Sequence, residues 1–284
     1  MLGGDSPGAT FAARDSGLRV REPPQRLVGG ERVASRGRIV VTLLAEDPDL
    51  WDAVFSESGA RARFVRRLAR RIGPKVLDVG CATGSLCALL RRQGLDPVGI
   101  DKNRRFVGAA RKKDPSGTYA VGDMRTFKLH QKFDVIVCLG TTFSYNHTNA
   151  AIRACLQNFS RHLSPGGRLV IDVLNAIAFI GPRPFQRRTQ HHLWYQGKRI
   201  TATIRHELDL RRQLMTEQVT WRSAGQTSHR DPPEKLRLFF PQELAFYLEQ
   251  AGFGDAKLVD AFGKSNTAFD GRRLIAVAAP RRSQ

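Results

Sequence analysis

This sequence has no long apolar run: nowhere in its 284 residues are there the roughly 20 uninterrupted apolar positions that a membrane-crossing helix needs. Its first eight residues are small and polar rather than basic and then greasy, unlike a secretory signal. The expectation is a soluble, cytoplasmic protein. Cysteine is sparse as well. Cys81, Cys87, Cys138 and Cys155 form no CxxC pair and no zinc-like spacing, which argues against a disulfide framework and a metal site and favours reduced thiols. Acidic residues are the third shortage, with 26 Asp and Glu against 46 Lys and Arg, a net charge of +20.

Arginine supplies 36 of those 46 basic residues, which reads in part as a coding bias. The excess is local. Residues 61–71 carry six Arg and no acid, and residues 183–237 carry twelve basic residues against five acids. The first 38 residues net only +3 in a Gly-, Pro- and Ser-rich context and read as a flexible basic tail.

What is present is an alternation of short apolar runs with helical patterns. Residues 48–72 are helical in pattern, with Trp51, Val54 and Phe55, then Phe64, Leu68 and Ile72 recurring every three or four positions, and Gly73-Pro74 as the stop. Strands are expected over residues 75–79, 97–100, 118–121, 133–139 and 168–173, and helices over 85–93, 104–113 and 148–163. Strands alternating with helices imply right-handed crossovers, hence an α/β class with a doubly wound, Rossmann-like, mostly parallel sheet. After residue 175 the period changes to two over residues 193–195, 199–208, 213–222 and 235–240, which predicts an antiparallel β insertion after the fifth strand. A helix over residues 241–252 and strands near 257–259 and 274–278 follow. The expected organisation is a tail (1–38), a cofactor-binding core with N-terminal covering helices (39–180), the insertion over the active site (181–240), and a C-terminal return to the core (241–284).

The strongest local signal is Val76-Leu77-Asp78-Val79-Gly80-Cys81-Ala82-Thr83-Gly84-Ser85, a glycine-rich bend between strand and helix at the carboxyl end of the first strand. A dinucleotide fingerprint requires glycine at positions 80, 82 and 85, and Ala82 and Ser85 break it. The Asp-x-Gly-x-x-x-Gly spacing resembles the first motif of class I S-adenosylmethionine-dependent methyltransferases. Four further stretches follow in the order of that family: Val98-Gly99-Ile100-Asp101, Val121-Gly122-Asp123-Met124, Phe133 to Gly140, and Leu163-Ser164-Pro165-Gly166-Gly167. The resemblance implies S-adenosyl-L-methionine as cofactor and S-adenosyl-L-homocysteine as product. It implies cofactor contacts from Asp78, Gly80, Cys81, Ala82, Thr83, Gly84, Asp101, Lys102, Asp123, Met124, Leu139 and Phe143, with Asp101 on the ribose hydroxyls and Asp123 on the adenine amino group.

Within the class, Gly122 to Phe127 and Leu139 to Tyr145 look closest to nucleotide-deoxysugar N,N-dimethyltransferases and to glycine/sarcosine N-methyltransferases. In the sugar branch aromatic hydroxyls on the N-terminal helix cover the cofactor, whereas this chain offers Trp51 and Phe55 there. Because the methyl leaves a sulfonium already activated for transfer, alignment in a water-poor pocket is the main requirement, and only a hydroxyl acceptor usually wants a base. Tyr145 and His147 are the catalytic candidates. Trp51, Phe55, Tyr145, His191 and His192 are the candidates for the substrate side. The blander alternatives are sheet packing for the aromatics, a helix N-terminal place for His147 and a solvated turn for His191 and His192. A small-molecule acceptor, a nucleic-acid acceptor and a non-catalytic cofactor-binding subunit stay open at this point, as does a homodimer; no membrane partner is expected.

Overall fold

Five short runs of apolar residues, most of them buried, set the frame. β1 (Lys75–Val79), β2 (Asp96–Asp101), β3 (Thr118–Val121), β4 (Phe133–Cys138) and β5 (Leu163–Asn175) pair in parallel in the order β3-β2-β1-β4-β5. In register, Leu77 lies between Val98 and Ile136. The computed structural model describes residues 44–55, 59–180, 185–223, 228–254, 256–259, 262 and 271–281. The tail expected over residues 1–38 lies outside them.

Helices cover both faces of this sheet, each through one apolar stripe. On one face α2 (Ala60–Ile72) brings Ala62, Val65 and Ala69, and α3 (Ser85–Arg91) brings Leu86 and Leu90, onto Val76, Val135 and Val137. On the other, α5 (Asn149–His162) brings Ile152, Leu156 and Phe159, and α7 (Pro241–Gln250) brings Leu244 and Leu248, onto Leu77, Ile136 and Ile171. Each such side chain, buried fully, contributes about 1.5 to 3 kcal/mol. α4 (Arg104–Lys113) seats Val107 and Ala110 beside Cys81 and Tyr119.

The helical pattern over residues 48–72 resolves into two helices rather than one. α1 (Pro48–Val54) begins at Asp47, whose carboxylate accepts from the Asp49 and Leu50 amides at 3.0 and 2.9 Å. It ends at Phe55, and α2 starts only after Gly59 at φ +70°, a left-handed turn that no continuous helix contains.

Beyond β5 the chain makes a four-residue helix, α6 (Ile177–Ile180), then β6 (Arg188–Tyr195), β7 (Lys198–Asp209), β8 (Leu214–Ser223), the two-residue β9 (His229–Arg230) and β10 (Glu234–Phe239). β6, β7, β8 and β10 are antiparallel neighbours in that order. β10 joins the main sheet at its end: Leu238 and Phe239 pair in parallel with Leu174 and Asn175, the last residues of β5. β11 (Lys257–Val259) and β12 (Arg273–Ala278) close the chain, β12 antiparallel to β5 and β11 antiparallel to β12. The insertion therefore hangs from the carboxyl tip of β5, the edge at which doubly wound sheets bind ligands.

Candidate functional site

The bend after β1 is shaped for close approach. Gly80 adopts φ +78°, and a Cβ there would come within 2.3 Å of the Thr142 methyl. Ala82 is left-handed at φ +46°, a conformation that costs a non-glycine residue about 1 to 3 kcal/mol. What holds it is Asp101 at the end of β2: one carboxylate oxygen accepts from the Ala82 amide at 2.9 Å and the other from the Asn103 amide at 2.8 Å. Burial raises the Asp101 pKa above the ordinary aspartate range, against the two amides that lower it. Two amides use only half of a carboxylate's roughly four acceptor positions, so Asp101 retains capacity for vicinal hydroxyls.

Asp78 and Asp123 complete a row of acids at the first three strand tips. Asp78 is buried, with the Cys87 thiol donating to it at 3.6 Å. Asp123 accepts from the Arg125 amide, Nε and Nη2 at 2.8, 2.8 and 2.5 Å, and these contacts hold its carboxyl below the usual range. Three carboxylates near a bend whose glycines, Gly80 and Gly84, admit no Cβ suit a ligand rich in hydroxyls and amino groups, and an adenosyl amino acid has both.

α1 borders this loop. The Thr83 hydroxyl donates to Asp52, which also pairs with Lys113 on α4, and Asn103 Nδ2 donates to the Ala45 carbonyl at 2.7 Å. Trp51 stacks between Phe55 and Phe106, with ring centroids 4.4 and 4.8 Å away, and is half-buried; Phe55 packs beside Leu50 and Val54 against the inner face of the insertion. Trp51 on α1 and Phe55 at its end thus sit where the loop after β1 meets the insertion.

Past β4 a 3-10 turn (Thr142–Tyr145) divides its side chains. Phe143 is fully buried between Phe159 and Phe239, and Leu139 is buried in the core against α2. Cys81 is likewise buried under the loop, and Met124 is half-buried with its sulfur accepting from Asn146 at 3.1 Å. Of Leu139 and Phe143, the side chains turn away from the strand tips. Tyr145 crosses to the insertion, its hydroxyl donating to Glu234 at 2.5 Å, while Lys102 reaches over from the tip of β2 to 5.1 Å from the Tyr145 ring centre. His147 shares a hydrogen bond of 2.7 Å with the Lys235 carbonyl and so anchors the turn to β10. His191 is buried on the inner face of β6, where desolvation lowers its pKa; His192 points to the outer face and meets the Thr201 hydroxyl at 2.9 Å. The structure brings Tyr145 and His191 to the inner side and does not bring His192 with them.

Three groups escaped the sequence reading. On the inner face His206, Glu217 and Glu234 stand directly opposite one another across β7, β8 and β10, with His206 Nε2 2.9 Å from Glu217. The rung below them is Leu208, Met215 and Leu236, and the pair above is Ile204 and Val219. The signal was legible in principle: Ile200, Ala202, Ile204, His206 and Leu208 alternate, as do Met215, Glu217, Val219 and Trp221, so that one imidazole and one acid interrupt an apolar face.

Among the described residues no group of three or more His, Cys, Asp or Glu side chains is arranged to hold a metal, and no helix is long and apolar enough to cross a membrane. Residues 56–258 match the family model described as a methyltransferase domain. A dTDP-4-amino-2,3,4,6-tetradeoxy-D-glucose N,N-dimethyltransferase of Saccharopolyspora spinosa is 31% identical over 72% of this chain and 84% of its own length. A dTDP-3-amino-3,4,6-trideoxy-alpha-D-glucopyranose N,N-dimethyltransferase of Streptomyces venezuelae is 30% identical over 44% of this chain, which spans about half (55%) of that relative. Among solved structures, the sugar N-methyltransferase KedS8 from Streptoalloteichus shares the fold with a TM-score of 0.70 at 23% identity, over 91% of this chain and all of that one. A loop, three strand-tip carboxylates and an insertion that together suit an adenosyl ligand thus coincide with a matched domain and a relative covered over most of its length, and the chain belongs to the S-adenosylmethionine-dependent methyltransferases that act on small molecules.

Proposed function

We propose that this methyltransferase transfers its methyl group to an amine of a small natural-product intermediate, most simply an amino sugar carried on an anionic nucleotide. The observation that carries the reading is the character of the acceptor side: in a chain of net charge +20, the inner face of the insertion presents carboxylates and imidazoles, Glu217, Glu234, His191 and His206, rather than arginine. Such a lining favours a cationic amine over a neutral hydroxyl. The names of the relatives, amino-sugar N,N-dimethyltransferases, support the same substrate class.

In this reading the bend from Gly80 to Gly84 and Asp78 hold the amino-acid end of the cofactor, Asp101 and Lys102 the ribose, and Asp123 with Met124 the adenine. The bound cofactor supplies a methyl on a positively charged sulfur. The protein's own part is to orient and to exclude water: α1 closes one side through Asp52 and Thr83, and Tyr145 with His147 fastens the β4 turn to β10. A carboxylate within reach of the acceptor also takes the proton that an ammonium must lose before it becomes a nucleophile.

The test is a mass-spectrometric assay of the purified protein with cofactor and a panel of thymidine-diphosphate 3- and 4-amino sugars beside their hydroxy counterparts. Mass gains of one or two methyl groups on the amines alone are expected. Methylation of the hydroxy counterparts in preference to the amines would overturn the assignment.

A further inference from the structure

We propose that Glu217 and Glu234 form the seat of the acceptor's ammonium group and take its proton, with His206 and Tyr145 positioning the two carboxylates; this rests on the amine reading above. The two glutamates are a directly opposed cross-strand pair on β8 and β10, a like-charge arrangement that destabilises a sheet when nothing sits between the charges. Each carboxylate is held from its outer side, Glu217 by His206 Nε2 at 2.9 Å and Glu234 by the Tyr145 hydroxyl at 2.5 Å. The rungs on either side are apolar, so packing alone would be served better by a leucine or valine at both positions.

A second observation points to a ligand. His206 is more than nine-tenths buried, yet its Nδ1 has no hydrogen-bond partner among the described residues, a cost the fold carries at this rung. Glu234 in turn is exposed to solvent, and desolvation together with the neighbouring Glu217 raises its pKa against the Tyr145 hydrogen bond that lowers it, making it a better proton acceptor than an ordinary glutamate. Lys102, next to Asp101 at the tip of β2, stands over the Tyr145 ring and acts electrostatically on both Asp101 and Glu234, which links the pair to the side on which the loop after β1 lies.

The proton step closes. An N–H bond of the ammonium breaks, its proton passes to a glutamate oxygen, and the electron pair stays on nitrogen as the nucleophile. The methylated ammonium that results holds the same positive charge, and after the exposed Glu234 has passed the first proton to water the pair takes the next one, so a second transfer needs no new group. A primary ammonium offers three N–H donors to the pair and a dimethylammonium only one, so the seat weakens for the finished product.

The experiment uses the full chain and the amino sugar that the panel above identifies. Glu217→Gln and Glu234→Gln, each isosteric, are expected to raise the acceptor KM at least tenfold while calorimetry shows S-adenosylhomocysteine affinity within twofold of the parent, which also reports an intact fold. Glu234→Asp, keeping the charge, is expected to recover part of the loss, which a merely structural glutamate would not do. His206→Gln is expected to raise the acceptor KM less than either glutamate variant. If the parent methylates an amine and both Gln variants keep KM and kcat within twofold, the seat is wrong and the amine reading stands; if the parent methylates only hydroxyls, both fall.

Discussion

At the scale of single residues, Asp101 carries the most. Its carboxylate fixes the strained Ala82 amide from one oxygen and holds the amide of Asn103, the residue that caps α4, from the other, so removing it loosens the loop as well as deleting the proposed acceptor for the ribose. Asp101→Ala is expected to weaken S-adenosylhomocysteine binding at least tenfold in calorimetry, since hydrogen bonds to a charged group are worth about 1.5 to 3 kcal/mol each. An unchanged affinity would remove Asp101 from the cofactor site. Asp78, Asp101 and Asp123 were legible because acids at successive strand tips recur in a fixed chain order. For His206 and Glu217 the alternation shows a polar residue on an apolar face, but that they and Glu234 meet lies in a register across three strands that no local window contains. Phe143 shows the opposite failure: its place in the motif points to the pocket, but the 3-10 turn rotates it into the core and sends Tyr145 to the insertion instead.

At the scale of elements, the sheet's parallel half was readable from apolar runs ending in glycine and acid, and β11 over residues 257–259 falls where the pattern put it. The break between α1 and α2 falls at the polar stretch Ser56-Glu57-Ser58-Gly59, which the helical pattern on either side spans in sequence, and the junction of β10 with the tip of β5 has no sequence signal because it rests on two residue pairs. Asp172 ties three elements at that tip. Fully buried on β5, it accepts from Arg273 of β12 at 2.9 and 3.1 Å and from the Gly140 amide after β4 at 3.2 Å. Asp172→Ala takes this carboxylate from a mostly buried guanidinium, and loss of one partner of a buried pair costs about 3 to 5 kcal/mol. Urea denaturation should show a fall of that order in unfolding free energy; a change below about 1 kcal/mol would mean that Arg273 finds another route to water.

At the scale of the whole molecule, the arginine clusters lie on α2 and on the outer face of the insertion, while single cations, Lys102 and Arg125, stand beside the strand-tip acids. Arg63, Arg66, Arg67, Arg70 and Arg71 ring a hollow of about 370 Å³ on α2, and a second hollow, of about 620 Å³, opens on the outer face of the insertion among Arg188, Arg205, Arg222 and Arg230 with Glu207 as counter-charge. Acids gather instead at the strand tips and on the inner face of the insertion. Surface charge of one sign around a cleft of the other steers a dipolar ligand, attracting an anionic carrier from a distance and accepting an ammonium at close range. Because the Debye length shortens from about 10 Å at 0.1 M salt to about 3 Å at 1 M, that long-range part is screened while the short-range part is not. The expected outcome is that kcat/KM for a nucleotide-linked amino sugar falls severalfold between 50 and 500 mM salt while kcat holds. If the basic surface served a nucleic-acid substrate instead, filter binding to RNA would lose affinity with a log–log slope of several, one unit for roughly each phosphate neutralised, and the bound RNA would acquire methyl groups. RNA retained on the filter without methyl transfer leaves the amine assignment intact, because steering by arginine is indifferent to what carries the phosphate; methylated RNA would reassign the insertion's inner face to a base.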